Sequence, residues 1–183
     1  MQRTLLALMS AIALLLPATA LAQAPAAPPD LTSMSGGLMS LYRSIRMNLI
    51  EAAELMPEEH YSFAPAGDVR TYGQLVGHVA NTQYNFCTPA RDVPNPNKVN
   101  LETLKTKAEL VAALKAAFAF CDAAYESLTD TAMAAATKFG QAPITKAYTL
   151  TFNVAHDNEH YGNIVTYLRL KGLVPPSTAR ARR

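Results

Sequence analysis

The sequence has 183 residues, 50% of them hydrophobic, and its formal net charge is only +2 at pH 7. A chain of this length most often forms a single domain. A charge so close to neutral provides no extended basic surface, so nucleic acid is excluded as a partner class.

The first 22 residues have the three parts of a secretory signal peptide. Arg3 supplies the positive charge, residues 5–16 form an apolar run, and the Ala-Leu-Ala of residues 20–22 resembles a cleavage site. The apolar run is too short to span a bilayer, which takes about 20 residues. We therefore expect a mature chain that begins near Gln23, is secreted or periplasmic, and has no stable membrane insertion. The alternative is a retained N-terminal anchor.

Residues 23–34 are rich in proline and alanine, which predicts a disordered linker before the first helix. Four segments with helical periodicity follow. The first covers residues 35–55 and stops before Pro57. Its apolar residues recur at three-to-four spacing and are expected to face the core: Leu38, Leu41, Ile45, Leu49 and Ala52.

The second predicted helix begins at Thr71, whose spacing to Gln74 is that of a capping box. It extends to about Cys87, and Pro89 is expected to end it. Four of its positions are assigned to the core: Tyr72, Leu75, Val79 and Phe86.

Residues 88–101 contain several prolines and asparagines and predict a long loop. Loops of this length are uncommon in compact domains unless they cross a bundle or carry function. The third helix follows a second capping box, Thr106 with Glu109, and extends to about residue 128. Its expected core positions are Leu110, Leu114, Cys121, Tyr125 and Leu128. Residues 129–144 are predicted to be an irregular linker.

The fourth helix is predicted over residues 145–171, with Gly172 in the left-handed position after its end. At about 100° per residue it has two distinct faces. The first face is apolar: Leu150, Val154, Tyr161, Val165 and Leu168. The second is polar and aromatic and is a candidate pocket lining: Thr149, Phe152, Asn153, His156, His160, Asn163 and Tyr167.

His156 and His160 lie one helical turn apart, so their Cβ atoms are expected roughly 5–6 Å apart. Two such imidazoles can bind one ion, but the same spacing is common on helix surfaces. A catalytic zinc site needs a third protein ligand. His78, in the middle of the second helix, is the candidate, and its alternative role is a hydrogen-bonded core histidine. His60 lies in a polar stretch and is expected to be solvated.

The motif His-x-x-Glu-His of residues 156–160 is also found in one class of zinc proteases. Those enzymes take a further glutamate ligand downstream, and no aspartate or glutamate follows Glu159 in this chain. A di-iron carboxylate site is also excluded, because no Glu-x-x-His spacing is present.

Three stretches of the sequence together point to a known family. Residues 56–78 contain Met-Pro-Glu-Glu and Arg-Thr-Tyr-Gly-Gln-Leu, residues 107–130 end in Leu-Thr-Asp, and residues 156–176 contain His-Asp-Asn-Glu-His-Tyr-Gly-Asn and Val-Pro-Pro. Through these stretches the chain resembles the DinB/YfiT-like superfamily over residues 35–177. Residues 178–183 then remain as a basic tail.

The resemblance implies an all-α four-helix bundle with up-down-down-up topology, in which a long crossover loop joins parallel second and third helices. It also implies a divalent metal ion, zinc before nickel, held by His78, His156 and His160. Members of the family are often homodimers. The chain departs from the family at residues 161–163, where Tyr-Gly-Asn replaces the Arg-Gly-Gln of many members. This departure concerns contacts to a substrate and not the metal.

The function that these observations predict is an exported metal-dependent hydrolase or transferase that acts on an unknown small molecule. Glu159 is the candidate catalytic base. Asn153 and Asp157 are candidate partners for an imidazole N–H. Each of these three residues is also a candidate for an ordinary surface or capping role, which is the favoured one. The alternatives for the whole protein are a non-enzymatic metal- or ligand-binding bundle and a structural bundle with vestigial histidines.

Cys87 and Cys121 are the only cysteines, and they lie at matching depths in the second and third predicted helices. In antiparallel helices they would be roughly 20 Å apart, far beyond the Cα separation of about 7 Å that a disulfide permits. In parallel helices they would lie at the same level. The parallel arrangement that the resemblance implies therefore predicts a Cys87–Cys121 disulfide. The alternative is two buried free thiols.

Overall fold

The structure is a computed structural model and describes residues 28–182. The predicted signal peptide and the first part of the predicted linker lie outside these residues. Four long helices form the body of the protein: α1 (Met34–Leu55), α2 (Tyr72–Arg91), α3 (Lys107–Glu126) and α5 (Lys146–Leu170). The smaller elements are α4 (Asp130–Met133), β1 (Ala136–Phe139), β2 (Ala142–Thr145) and α6 (Pro176–Ala181). The prediction of a four-helix bundle is confirmed.

Helices α2 and α3 run in the same direction. Near their first turns, a Cβ atom at Gly73 would lie 3.1 Å from the Cδ1 atom of Leu110. Near their last turns, the Cα atoms of Cys87 and Cys121 are 5.3 Å apart. Matched contacts at both ends require parallel axes.

Helix α5 runs antiparallel to α2. At its first turn the Thr149 hydroxyl donates a hydrogen bond to the carbonyl of Phe86, at 2.8 Å. At its last turn the Tyr167 hydroxyl donates to the carbonyl of Arg70, at 2.6 Å. This pairing places the middle of α5 against the middle of α2, so His156 and His160 can meet His78.

The predicted disulfide between Cys87 and Cys121 is present, and both cysteines are fully buried. The cross-link joins α2 to α3 about two and a half turns beyond His78 along α2. It therefore fixes the helix that carries one of the candidate ligands against its parallel neighbour.

Both predicted capping boxes form. The Thr71 hydroxyl accepts a hydrogen bond from the backbone N–H of Gln74, and the Gln74 side chain accepts one from the N–H of Thr71. Thr106 and Glu109 make the same reciprocal pair at the start of α3. Each pair satisfies N–H groups that have no partner inside the helix, which is why these two helices begin where the sequence predicts.

Two predictions about helix residues are wrong. Leu41 is 60% exposed, and Tyr42 takes the buried position instead, because Tyr42 lies closer to the centre of the face formed by Leu38, Ile45 and Leu49. Pro89 does not end α2, which continues to Arg91. Proline removes one backbone donor and crowds the preceding turn, but the Thr137 hydroxyl stabilises this last turn by donating to the Pro89 carbonyl.

The predicted irregular linker over residues 129–144 contains the short helix α4 and an antiparallel hairpin of β1 and β2. Gly140 turns the hairpin with a φ of 59°, which glycine adopts without strain. Each strand has only four residues, and most of these residues are exposed. The alternation that signals a half-buried strand is therefore missing from the sequence.

The predicted basic tail is also more ordered than expected, because α6 includes Arg180. Its guanidinium pairs with the carboxylate of Glu51 at 2.5 Å and contacts the Asn48 side chain. These contacts attach the end of the chain to α1. Across residues 28–182, no helix combines the length and the apolarity that crossing a bilayer requires.

The long loop between α2 and α3 lies directly on α2. The Asn81 side chain accepts hydrogen bonds from the backbone of Leu101, at 3.0 Å, and from the side chain of Asn97, at 3.1 Å. Gly77 permits this close approach, since a Cβ atom there would lie 2.5 Å from the Leu101 carbonyl oxygen. The loop is thereby held with Glu102, in the short 3-10 turn Leu101–Thr103, beside the middle of α2.

Candidate metal centre

Three histidines from two helices converge where α2 and α5 pack together. The Nε2 atom of His156 lies 3.3 Å from that of His78 and 3.0 Å from that of His160. The candidate ligand atoms of all three residues lie within 4.8 Å of one another. His160 is buried, while His78 and His156 are half-buried. The structure therefore brings together the three residues that the sequence singled out.

Two of the three separations between candidate ligand atoms are close to those of nitrogens that share one metal ion. Two nitrogens bound at about 2.0–2.1 Å to a tetrahedral zinc ion lie roughly 3.3–3.4 Å apart. The observed Nε2 separations of 3.3 and 3.0 Å are close to this value. Three imidazole nitrogens also form a donor set that zinc, nickel, copper and iron accept, so the residues fit a divalent ion and do not identify it.

Glu102 is a site residue that the sequence analysis missed. Its carboxylate oxygen lies 2.9 Å from Nδ1 of His78, on the side of the ring opposite Nε2. A carboxylate in this position fixes the tautomer that carries the proton on Nδ1 and leaves the Nε2 lone pair free. The same carboxylate accepts a hydrogen bond from Arg70 at 2.9 Å. Burial alone would raise the pKa of Glu102, but the hydrogen bonds from Arg70 and His78 outweigh it and lower this pKa.

The environment keeps the other two imidazoles neutral. Burial, followed by the neighbouring His160 and His78, lowers the pKa of His156 to about 4. Burial and the neighbouring His78 also lower the pKa of His160. A histidine whose pKa is depressed is uncharged at neutral pH, and only the uncharged ring offers a lone pair to a metal ion.

Asn153 and Asp157 do not contact the imidazoles in the part of the chain that the structure describes. The Asp157 carboxylate accepts a hydrogen bond from the Gln83 side chain at 2.6 Å. The Asn153 amide donates to Gln83 and to the hydroxyl of Tyr125, both at 3.1 Å. Both residues point into the bundle because their side chains lie on the core-facing edge of α5, away from the rings. Together with Gln83 and Tyr125, they form a buried polar network in the core of the bundle.

Glu159 is exposed and lines a cavity of about 750 Å³ that also reaches His160. Other lining residues of this cavity include Arg70, Glu102, Asn163 and Tyr167. We call the polar and aromatic face predicted for α5 the stripe, and its members His160, Asn163 and Tyr167 line this cavity. His60 lies apart from it, in the short 3-10 turn Glu58–His60 after α1.

Comparison with known proteins identifies the family. A family model of the DinB superfamily matches residues 41–164, which is more than half of the chain and includes all three histidines. The chain belongs to the DinB superfamily. Among curated proteins, no relative matches it significantly.

Solved structures share the fold at low sequence identity. A DinB-like protein from Bacillus cereus is 16% identical, with a TM-score of 0.67 over 79% of this chain and 96% of that chain. The DinB-like protein YjoA from Bacillus subtilis is 24% identical, with a TM-score of 0.61 over 74% of this chain and 92% of that chain. YfiT from Bacillus subtilis is 17% identical, with a TM-score of 0.59 over 76% of this chain and 88% of that chain. YfiT is described as a probable metal-dependent hydrolase with an unusual four-helix bundle topology.

The contact between Glu102 and His78 leads to a prediction about metal affinity. We expect Glu102→Gln to weaken divalent metal binding by about 10–100-fold, the usual effect of removing a partner of a ligating histidine. Competition titration with a chromogenic chelator measures the change. Glu126→Gln is the matched control, because Glu126 is exposed near the far end of α3. Equal affinities for the two variants would show that Glu102 does not support the site.

Proposed function

We propose that this protein is an exported metal-dependent hydrolase of a small molecule, with its divalent ion held by His78, His156 and His160. The observation that carries the proposal is the convergence of the three imidazoles, in which the Nε2 atom of His156 lies 3.3 Å from that of His78 and 3.0 Å from that of His160. The description of YfiT as a probable metal-dependent hydrolase supports the same activity class. Zinc is the first candidate ion and nickel the second.

The chain's own residues have distinct parts in this proposal. His78, His156 and His160 bind the ion, and Glu102 orients His78 through its Nδ1 atom. A divalent ion with an open coordination position supplies Lewis-acid chemistry, by polarising a substrate oxygen or lowering the pKa of water. Glu159 lines the cavity beside His160, so its carboxylate can accept a proton from an attacking water. Arg70 and Asn163 offer hydrogen-bond donors to a substrate in the same cavity.

Hydrolysis is favoured over transfer to a thiol because of where the protein would act. An exported protein enters an oxidising compartment, in which low-molecular-weight thiols are scarce. The Cys87–Cys121 disulfide is consistent with such a compartment. Water, by contrast, is always available in that compartment to accept the group that the reaction transfers.

The test is a screen of the metal-replete protein against esters, amides and phosphoesters. We expect turnover that disappears on chelation and returns when the ion is restored. Glu159→Gln should abolish turnover while keeping the ion, whereas Thr166→Ala, at another position lining the cavity, should retain turnover. No turnover on any panel, together with a small molecule retained through purification, would instead favour a non-enzymatic binding protein.

The export proposal has its own measurement. Mass spectrometry of the protein recovered from the periplasm or the medium should give a chain that begins near Gln23, because residues 20–22 match a signal-peptidase site. Recovered material that retains Met1 would contradict cleavage and favour a membrane anchor.

A further inference from the structure

Four aromatic side chains form a patch at the end of the stripe opposite the polar cavity. We define this aromatic shelf as Phe86, Phe139, Tyr148 and Phe152. The ring of Phe86 is buried, and its centroid lies 5.7 Å from that of Phe139 and 5.2 Å from that of Phe152. The other three rings remain half-exposed, at 42% for Phe139, 57% for Tyr148 and 46% for Phe152.

The shelf is continuous with the three histidines. The ring of Phe86 meets the ring of His156 edge to face, with their centroids 5.4 Å apart. Phe152 precedes His156 by one helical turn, which separates their Cβ atoms by roughly 5–6 Å. Farther along α5, beyond the histidines, Asn163 and Tyr167 line the polar cavity. The histidines therefore lie between an aromatic end and a polar end.

Packing of the fold accounts for only part of this cluster. Phe86 fills the space between α2, α5 and the hairpin, which explains why one ring is buried. Core packing does not require three further rings to lie half-exposed around it, and contiguous exposed apolar surface commonly marks a binding site. Ligand sites typically combine aromatic walls with a few polar groups, and this stripe provides both around one cluster of candidate ligands.

We propose that the aromatic shelf binds an uncharged aromatic group of the substrate, whose reacting group lies at His78, His156 and His160. This inference rests on the proposed function. All four shelf side chains are uncharged, so an anionic group would lose hydration there without gaining a counter-charge. A flat aromatic ring can instead stack on the faces of Phe139 and Phe152. The geometry thus assigns the shelf to a neutral aryl group and the cavity at Arg70 to the polar part of the substrate.

Two small chelators test the shelf directly. Acetohydroxamate and benzohydroxamate bind a metal ion through the same two oxygens and differ only in a methyl or a phenyl group. We expect the metal-loaded protein to bind benzohydroxamate about tenfold more tightly in calorimetric titrations, since the phenyl ring loses apolar surface to the shelf. Phe152→Ala and Phe139→Ala should each reduce this preference to about twofold and leave metal content and acetohydroxamate affinity unchanged.

Phe120→Ala is the matched control, because Phe120 is a half-buried ring that packs against Tyr84 and under Arg91 on another side of the bundle. This variant should keep the full preference for the phenyl compound. If the wild type binds both hydroxamates equally, the proposal that the shelf binds an aryl group is overturned, while the assignment of the metal centre stands. If the wild type binds neither compound and holds no metal, both the proposed function and the proposal of an aryl site on the shelf are overturned.

The remaining competing role for the shelf is an interface with a second copy of the chain. Sedimentation of the same variants distinguishes it. Conversion of a dimer to a monomer by Phe152→Ala, without a change in the phenyl preference, would overturn the aryl subsite. An unchanged oligomeric state with a reduced preference would support it.

Discussion

Stoichiometric metal binding should be abolished by each of three single substitutions: His78→Ala, His156→Ala and His160→Ala. Each substitution leaves only two imidazole nitrogens at the centre. Loss of a mere hydrogen-bonding partner of a ligand already costs about 10–100-fold in affinity, so loss of a ligand should cost more than about 100-fold. Elemental analysis of the purified variants, combined with circular dichroism to verify the helical fold, measures the effect.

His60→Ala is the matched control for these variants. His60 lies in a turn after α1 and outside the cluster of candidate ligands, so its loss should leave the metal content unchanged. The assignment of the triad is wrong if His60→Ala empties the centre while His78→Ala does not.

Removing the disulfide should have the largest effect on stability. Cys87 and Cys121 are 34 residues apart in sequence, and cross-linking a loop of that length is worth roughly 3–4 kcal/mol in the chain-entropy model. We therefore expect the double variant Cys87→Ala, Cys121→Ala to lose about that much free energy of unfolding in urea titrations. Reduction of the wild-type protein should give a similar loss.

Thiol titration provides the independent control for the cross-link. The denatured, unreduced wild-type protein should show no free thiol, because the structure pairs both cysteines. Two free thiols in protein recovered after export would contradict the bridge. In that case the stability difference between the wild type and the double variant should reflect only the loss of two small buried side chains.

The helices and the histidine cluster were predictable because local signals specify them. Thr71 and Thr106 mark helix starts through capping boxes that need only residues three positions away. The pairing of His156 with His160 follows from one helical turn, and the family resemblance adds His78. The contact of His78 with the pair on α5 was therefore predictable through the resemblance and not through a local signal.

Glu102 could not be predicted in the same way. It lies 24 residues from His78, in a loop without periodicity, and only the packing of that loop on Gly77 and Asn81 brings it to the ring. The sequence makes Asp157, which is adjacent to His156, a candidate partner for an imidazole N–H. A helix directs consecutive side chains about 100° apart, so Asp157 points into the core toward Gln83. Asp157 is therefore not a partner of the imidazoles although it is adjacent to His156, whereas Glu102 contacts His78 although it is distant in sequence.

The hairpin of β1 and β2 shows a similar limit. Its strands are too short and too exposed to give an alternating pattern, yet the hairpin brings Phe139 to Phe86 and completes the aromatic shelf. The sequence places Phe152 in the stripe on α5 but does not identify the rings that it contacts. The aromatic end of the site therefore depends on tertiary contacts that no local pattern encodes.

Elemental analysis of the mature wild-type protein, purified without added metal and without a histidine tag, tests the central claim most directly. The convergence of His78, His156 and His160 predicts a single divalent ion per chain, held until a strong chelator removes it. A chain that is purified fully folded with no bound ion, and that takes up none from micromolar zinc or nickel, would contradict the assignment of a metal centre.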